Sequence, residues 1–271
     1  MDVADVLADL LAEHAALDEV VAPLRDEQWL LDTPSPRWTV RDQLAHLTYF
    51  DHAAAMAIDD AVTGSTSFAD ALAALGEVRA SAEGVDDLTV GPFVGRSAAE
   101  NLAAWREGRD RLTAAAAALA NDTRVPWYGP SMGSKSFLTA RLMETWAHGQ
   151  DICDTVGAGR KPTDRLRHIA QLGYITRGWT YVNRNMDVPE GDVRVVLESP
   201  SGETWAWGPD DETSNVITGP AESFCLVVTQ RRNVADVDLD VRGPAATDWL
   251  SMAQAFAGPP TDSPTPGGFT A

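Results

Sequence analysis

The sequence predicts a helical bundle followed by a smaller α+β domain. Apolar residues recur at three- and four-residue spacings through roughly the first 157 positions, the period of helices with one buried face. After Gly157-Ala158-Gly159 the pattern changes to short alternating segments separated by Pro and Gly, the signature of strands and tight turns. With 271 residues, 44% of them hydrophobic and 23% charged, the chain has enough apolar surface for a real core and reads as two modest domains.

Val3, Val6, Leu7, Leu10, Leu11, Leu17, Val20, Val21 and Leu24 form the apolar stripe of a first helix over 3–24. The run Asp32-Thr33-Pro34-Ser35-Pro36 breaks it, and Thr39 with Asp42 reads as a capping box that opens a second helix to about Asp60. A shorter helix is expected over 67–83, ended by the glycines and proline of Gly84 to Gly95. Ser97 and Glu100 form another capping box, opening a helix to about Ala120, and the loop Pro126 to Gly133 leads into a last long helix, Ser134 to Val156. Residues 1–157 are therefore expected to be a four-helix bundle with one insertion.

In residues 158–258, Lys161-Pro162-Thr163-Asp164 starts a helix to about Arg184. Val193 to Glu198, Glu203 to Trp207, Asn215 to Thr218 and Val237 to Val241 alternate as strands, while Ala221 to Thr229 and Ala245 to Ala257 read as helices. The expectation is an antiparallel sheet with helices on one face. Residues 259–271, rich in Pro, Gly, Ser and Thr, read as a flexible tail, and no internal repeat is visible.

The formal charge of −19 repels phosphate backbones and anionic headgroups, which argues against nucleic-acid and membrane-surface partners. The acidic start MDVADVLADL is unlike a signal peptide, so the mature chain is expected to begin at Met1. Two scattered cysteines, Cys153 and Cys225, make neither a disulfide framework nor a thiolate metal site, and point to a reducing, cytoplasmic setting. A monomer or a homodimer is expected.

Of five histidines, the informative one lies in Glu144-Thr145-Trp146-Ala147-His148-Gly149-Gln150-Asp151. Four residues advance about 400° along a helix, so Glu144 and His148 share a face one turn apart and can reach one metal ion. Asp151, Phe137, Ala140 and Ala147 fall on the same stripe, which turns it inward. Taken alone the spacing is weak, because chance and surface pairs produce it often. On the second helix, His46 shares a face with Phe50, Ala53 and Ala57, whereas His52 is turned about 240° away. His46 is thus either a hydrogen-bonded core residue or a third ligand. Two imidazoles and one carboxylate would leave open coordination positions, the arrangement of catalytic zinc.

The segments Trp38-Thr39-Val40-Arg41-Asp42-Gln43-Leu44-Ala45-His46-Leu47 and Glu144 to Asp151 resemble the mycothiol-dependent maleylpyruvate isomerase family of the DinB-like metal-binding superfamily. Val125 to Pro130, Val-Pro-Trp-Tyr-Gly-Pro, is similar to a motif of uncharacterised bacterial metal-binding proteins. The resemblance covers about residues 1–157. It implies a bundle that holds a divalent metal, usually zinc, at His46, Glu144 and His148, and a second domain similar to sterol-carrier folds.

The implied function is a metal-dependent thiol enzyme, a mycothiol-dependent isomerase or S-transferase acting on a small electrophile. The metal would be Zn2+ and the co-substrate mycothiol or another low-molecular-weight thiol. The alternatives are a metal-assisted hydrolase with the same ligands, and a non-enzymatic binding protein for an apolar ligand. Asp151 and Arg231 are catalytic candidates beyond the metal ligands. Trp127, Tyr128 and Arg231 are candidate binding residues, the aromatics at the site entrance and Arg231 for a carboxylate. Arg231 with Arg232 reads first as a basic pair facing water and second as a carboxylate site. His14, in phase with Leu7, Leu10 and Leu17, reads first as a buried core histidine and second as a residue approaching the same cavity. The substrate site is expected in a cleft between the domains. Cys153 is turned about 140° from His148 and is proposed neither as ligand nor as nucleophile.

Overall fold

The computed structural model describes residues 2–75 and 82–268. The chain divides into two compact units, Met1–Gly159 and Arg160–Ala271: a helical domain and a smaller α+β domain.

In the first unit, α1 (Val3–Val21) starts from a capping box of Asp2 and Asp5. It stops short of the expected Leu24 because Pro23 cannot supply the next backbone N–H. Helix α2 (Val40–Thr63) opens on the expected box, with Thr39 N donating to Asp42 Oδ2 at 2.9 Å. It runs three residues past Asp60 to Gly64, which closes it at φ +76°.

The insertion differs from expectation. It holds α3 (Ser67–Ala74) and α4 (Ala82–Thr89), and residues 76–81 of the helix expected over 67–83 lie outside the described residues. The Gly84 to Gly95 stretch is helical to Thr89 and then makes a 3-10 turn at Gly91–Phe93. Tertiary contacts override the low helix propensity of Gly84 here: Asp86 accepts from Trp38 Nε1 at 3.1 Å and pairs with Arg37 at 2.7 Å, while Val90 and Phe93 pack against Ala45.

Helix α5 (Ala98–Ala116) keeps its Ser97–Glu100 box but ends before Ala120, because the following backbone turns in 3-10 fashion and buries Leu119. The loop expected from Pro126 is bracketed by a short hairpin, β1 (Arg124–Val125) against β2 (Met132–Gly133). Then α6 (Ser134–Val156) follows as predicted. Helix α2 packs along α5 and α6, and α1 along α6. Leu17, Val21, Val40, Leu44, Leu47, Trp105 and Ile152 fill one shared core.

In the second unit the helix expected to reach Arg184 is two, α7 (Leu166–Ile175) and α8 (Arg177–Val182). Thr176 separates them: its backbone turns to φ −88° and ψ 7°, while its N–H and its hydroxyl both donate to the Leu172 carbonyl. Four strands, β3 (Arg194–Glu198), β4 (Thr204–Trp207), β5 (Val216–Pro220) and β6 (Asp240–Arg242), form a sheet in the order β4-β3-β5-β6.

The sheet is mixed rather than antiparallel, since β3 and β5 are parallel neighbours. The chain leaves β4 beside the start of β3, crosses below that end and enters β5 in the direction of β3, so no crossover helix is needed. Gly208, at φ +91°, permits the crossing, because a Cβ there would lie 2.5 Å from the Val193 carbonyl oxygen. Arg194 holds the crossing loop through the Pro209 carbonyl at 2.9 Å and Asp210 at 2.6 Å.

Helix α9 (Ala221–Val228) is as expected. Helix α10 (Pro244–Met252) ends early, because Ala255 N donates instead to the Val228 carbonyl. The segment from Pro259, expected as a flexible tail, makes bonds from Thr261 N to Gln254, from Asn233 to the Pro264 carbonyl and from Gly267 N to Asp236.

A buried polar group crosses the bundle interior. Arg141 of α6 donates to Asp51 of α2 at 2.8 Å, and His14 of α1 lies 3.7 Å from the other Asp51 oxygen, with all three side chains under 5% exposed. Removing one partner strands a buried charge. Asp51→Ala is therefore expected to lower unfolding stability by about 3–5 kcal/mol, with Asp51→Ala/Arg141→Met recovering a large part; denaturant titration of the three variants and wild type checks this. Burial holds the His14 imidazole below its ordinary value of 6.5, outweighing the Asp51 charge. The unfolded chain therefore takes up a proton that the folded one refuses as pH drops below 6.5, and stability should fall in that window. His14→Gln should flatten the slope of stability against pH between about 7 and 5.

Candidate metal centre

His46 comes from α2, and Glu144 and His148 come from successive turns of α6. One ligand atom of each lies within 4.8 Å of the other two. The His46 and His148 rings are 4.7 Å apart, and His148 Nε2 lies 3.1 Å from Glu144 Oε2. Among the described residues this is the one group of three or more His, Cys, Asp or Glu side chains so placed.

Aromatic rings fix the imidazoles. His46 sits between Trp38, at 4.7 Å, and Phe50, at 4.6 Å, and Trp38 also stacks on His148 at 5.7 Å and 28°. Burial pushes the Glu144 carboxyl up, but the hydrogen bond and charge of His148, with the charges of His46 and Arg141, outweigh it and bring it to about 2. At neutral pH it is a carboxylate, with no proton to lose before it can bind a cation.

The far side of His148 is equally furnished. Its Nδ1 lies 2.5 Å from Gln43 Oε1, and Gln43 is fully buried. Gln43 Nε2 donates to Thr33 Oγ1 at 2.8 Å, and that hydroxyl donates to the Trp38 carbonyl at 2.7 Å. Asp151 is 3.9 Å from His148 Nδ1 and accepts from Ser35 Oγ at 3.0 Å. It is thus next to the ring nitrogen turned away from Glu144.

Trp127 and Tyr128 stand beyond Phe50, with ring centroids 6.0 Å and 5.6 Å from it. Trp127 also stacks on Phe68, and the Tyr128 hydroxyl donates to that of Tyr49 at 3.1 Å. His14 is in the neighbouring Asp51–Arg141 group, and half-buried His52 lies beside Arg111 at 3.3 Å. Cys153 is buried on α6. Arg231 belongs to the second unit, where its Nη1 donates to the Thr229 carbonyl at 2.7 Å; Arg232 in turn donates to the Arg231 carbonyl.

Sequence reasoning missed Gln43, Thr33 and Ser35. It treated Asp32 to Pro36 as a helix breaker, although hydroxyl residues in a proline-stiffened loop that leads straight into the His46 helix are well placed to support a site.

Curated relatives include an uncharacterised protein of Mycobacterium tuberculosis strain ATCC 25618 / H37Rv, 42% identical over 254 residues, 94% of this chain and 96% of its own length. A protein of strain CDC 1551 / Oshkosh matches over the same shares. Two crystal structures of the mycothiol-dependent maleylpyruvate isomerase, one of a mutant, superpose with a TM-score of 0.59 at 18% identity. They cover 85% of this chain and 90% of their own, so they share the fold. The model of the mycothiol maleylpyruvate isomerase N-terminal domain matches residues 10–153, a span that contains all three ligand-type side chains. The chain therefore belongs to the mycothiol maleylpyruvate isomerase N-terminal domain family.

Proposed function

We propose that this protein is a metal-dependent thiol enzyme, a mycothiol-dependent isomerase or S-transferase acting on a small electrophile. The convergence of His46, Glu144 and His148 within 4.8 Å carries the reading, and the family supports it. The donor set suits a divalent ion such as Zn2+: two imidazoles, one carboxylate already ionised, and too few protein ligands to close a tetrahedral shell. When bound, such an ion would supply the Lewis acidity that keeps a thiol, with a free pKa of about 8.5, in its nucleophilic thiolate form at neutral pH.

The protein's own part is to place and neutralise. One carboxylate and two neutral imidazoles leave a divalent site with one net positive charge, which an anionic sulfur would balance. Trp38 and Phe50 hold the imidazole of His46 between them and keep water from its faces. Trp127 and Tyr128 form the wall behind Phe50, and Asp151, fixed by Ser35, supports His148 from its far side. In the second unit, Arg231 is our candidate for a carboxylate on the thiol or substrate, because its guanidinium matches that geometry. Addition of sulfur to an activated cis double bond, rotation and elimination would make the enzyme an isomerase; retention of the sulfur would make it an S-transferase. No helix among the described residues is long and apolar enough to cross a membrane.

The test measures metal content, mycothiol binding and turnover in wild type and in His46→Ala, Glu144→Ala and His148→Ala. Wild type is expected to hold about one divalent ion per chain, and each variant to lose it or bind it at least about tenfold more weakly, with turnover lost in parallel. Metal retained in all three variants would refute the ligand assignment. A metal-loaded wild type that hydrolyses esters or amides and never binds a thiol would identify a hydrolase instead. A metal-free protein carrying an apolar ligand would identify a binding protein.

A further inference from the structure

Nothing in the metal reading says which nitrogen of His148 is the ligand atom. The hydrogen bonds around it do, through a chain of donors and acceptors in which every direction is forced. The Trp38 carbonyl can only accept, and it accepts from both Thr33 N, at 2.8 Å, and Thr33 Oγ1, at 2.7 Å. The Thr33 hydroxyl proton is therefore committed to Trp38, and Thr33 Oγ1 must accept from its other neighbour. That neighbour is the Gln43 amide at 2.8 Å, so its nitrogen faces Thr33 and its oxygen faces His148. An amide oxygen has no proton to give, so the 2.5 Å contact requires a proton on His148 Nδ1. Nε2, pointing at the Glu144 carboxylate, is left as the nitrogen whose position a cation or an exchangeable proton fills.

We infer that Gln43 and Thr33 are positioning residues that hold the His148 proton on Nδ1, so that Nε2 is presented as the metal ligand. The metal half of this inference rests on the proposed function; the proton half stands without it. The relay matters because the site would otherwise work against itself. In the absence of metal, a proton on Nε2 facing the Glu144 carboxylate is favourable, and the tautomer with only Nε2 protonated cannot bind an ion there. Gln43 disfavours that tautomer by setting an acceptor against Nδ1, and Asp151, 3.9 Å away, adds negative potential on the same side. Gln43 is itself fully buried, so no bulk water can replace its oxygen when it is removed. Thr33 acts one bond further out: without its hydroxyl the Gln43 amide is free to turn over and offer its NH2 to His148.

The experiment has two arms on the full-length protein. Imidazole 15N–1H correlation spectra of wild type, metal-free and Zn2+-loaded, are expected to show Nδ1 protonated in both states. Zn2+ affinity by chelator competition is expected to fall about 10–100-fold in Gln43→Leu, to fall in Thr33→Val, and to stay near wild type in Gln43→Glu, whose buried carboxyl group in its protonated form donates to Thr33 Oγ1 and accepts the His148 bond as the amide does. Thermal unfolding of each variant separates this loss from misfolding; if Gln43→Leu does not fold, Thr33→Val and the wild-type spectra decide. A wild-type His148 lacking the Nδ1 proton in either state overturns the inference. So does a folded Gln43→Leu whose Zn2+ affinity is within threefold of wild type, or a Gln43→Glu that loses as much as the leucine variant. A wild type that binds no divalent ion would sink the proposed function, and the tautomer in the metal-free spectra would then decide the relay alone.

Discussion

The structure of the first unit depends on a polar seam between two antiparallel helices. As α2 is followed from Gln43 through His46 to Asp51, its partners on α6 step back from His148 through Glu144 to Arg141. Polar cross-links thus meet at successive turns inside an otherwise apolar bundle. Leaving any member unpartnered there costs several kcal/mol, so the seam tolerates little slippage in the register of α2 against α6. A slip of one residue rotates each helix face by about 100° and separates every pair at once. The surrounding core of Leu17, Leu44, Leu47, Trp105 and Ile152 supplies the driving force, and the seam restricts it to one arrangement.

This explains what was legible in the sequence. Inward helix faces follow from a 3.6-residue period, so His46, Glu144 and His148 could be placed on buried stripes before any coordinates, and capping boxes at Thr39 and Ser97 located two helix starts to the residue. What the period cannot give is which residue of one helix meets which residue of another. Gln43 was passed over for that reason, because a lone glutamine becomes meaningful only once it lies 2.5 Å from a specific imidazole nitrogen. Thr33 and Ser35 were hidden by their loop, whose prolines announce where a helix stops and say nothing of where hydroxyls point.

The errors in the second unit have a similar origin. Alternation located the strand segments, the last of them shifted from the expected Val237 to Val241 to Asp240–Arg242, yet strand order and direction depend on where connections cross. A local feature, Gly208 at φ +91° under the first residues of β3, lets the chain pass to the other side and pair β5 parallel with β3. Likewise the break at Thr176, where the backbone turns to φ −88° and ψ 7°, is a local choice that the apolar stripe through Tyr181 does not reveal.

The seam also bears on how chemistry and stability share the same residues. Arg141 neutralises buried Asp51 and is at the same time one of the charges that keep Glu144 ionised. Gln43 and His46 stand three residues apart on α2 and so share a face: His46 joins the group we propose as the metal site, and Gln43 contacts His148, the imidazole that α6 brings to it. Each helix therefore stabilises the functional group of its partner as well as presenting its own. Assembly of the site and docking of α2 on α6 become one event, and an ion bound only by the folded bundle would add its binding free energy to the stability of that docking.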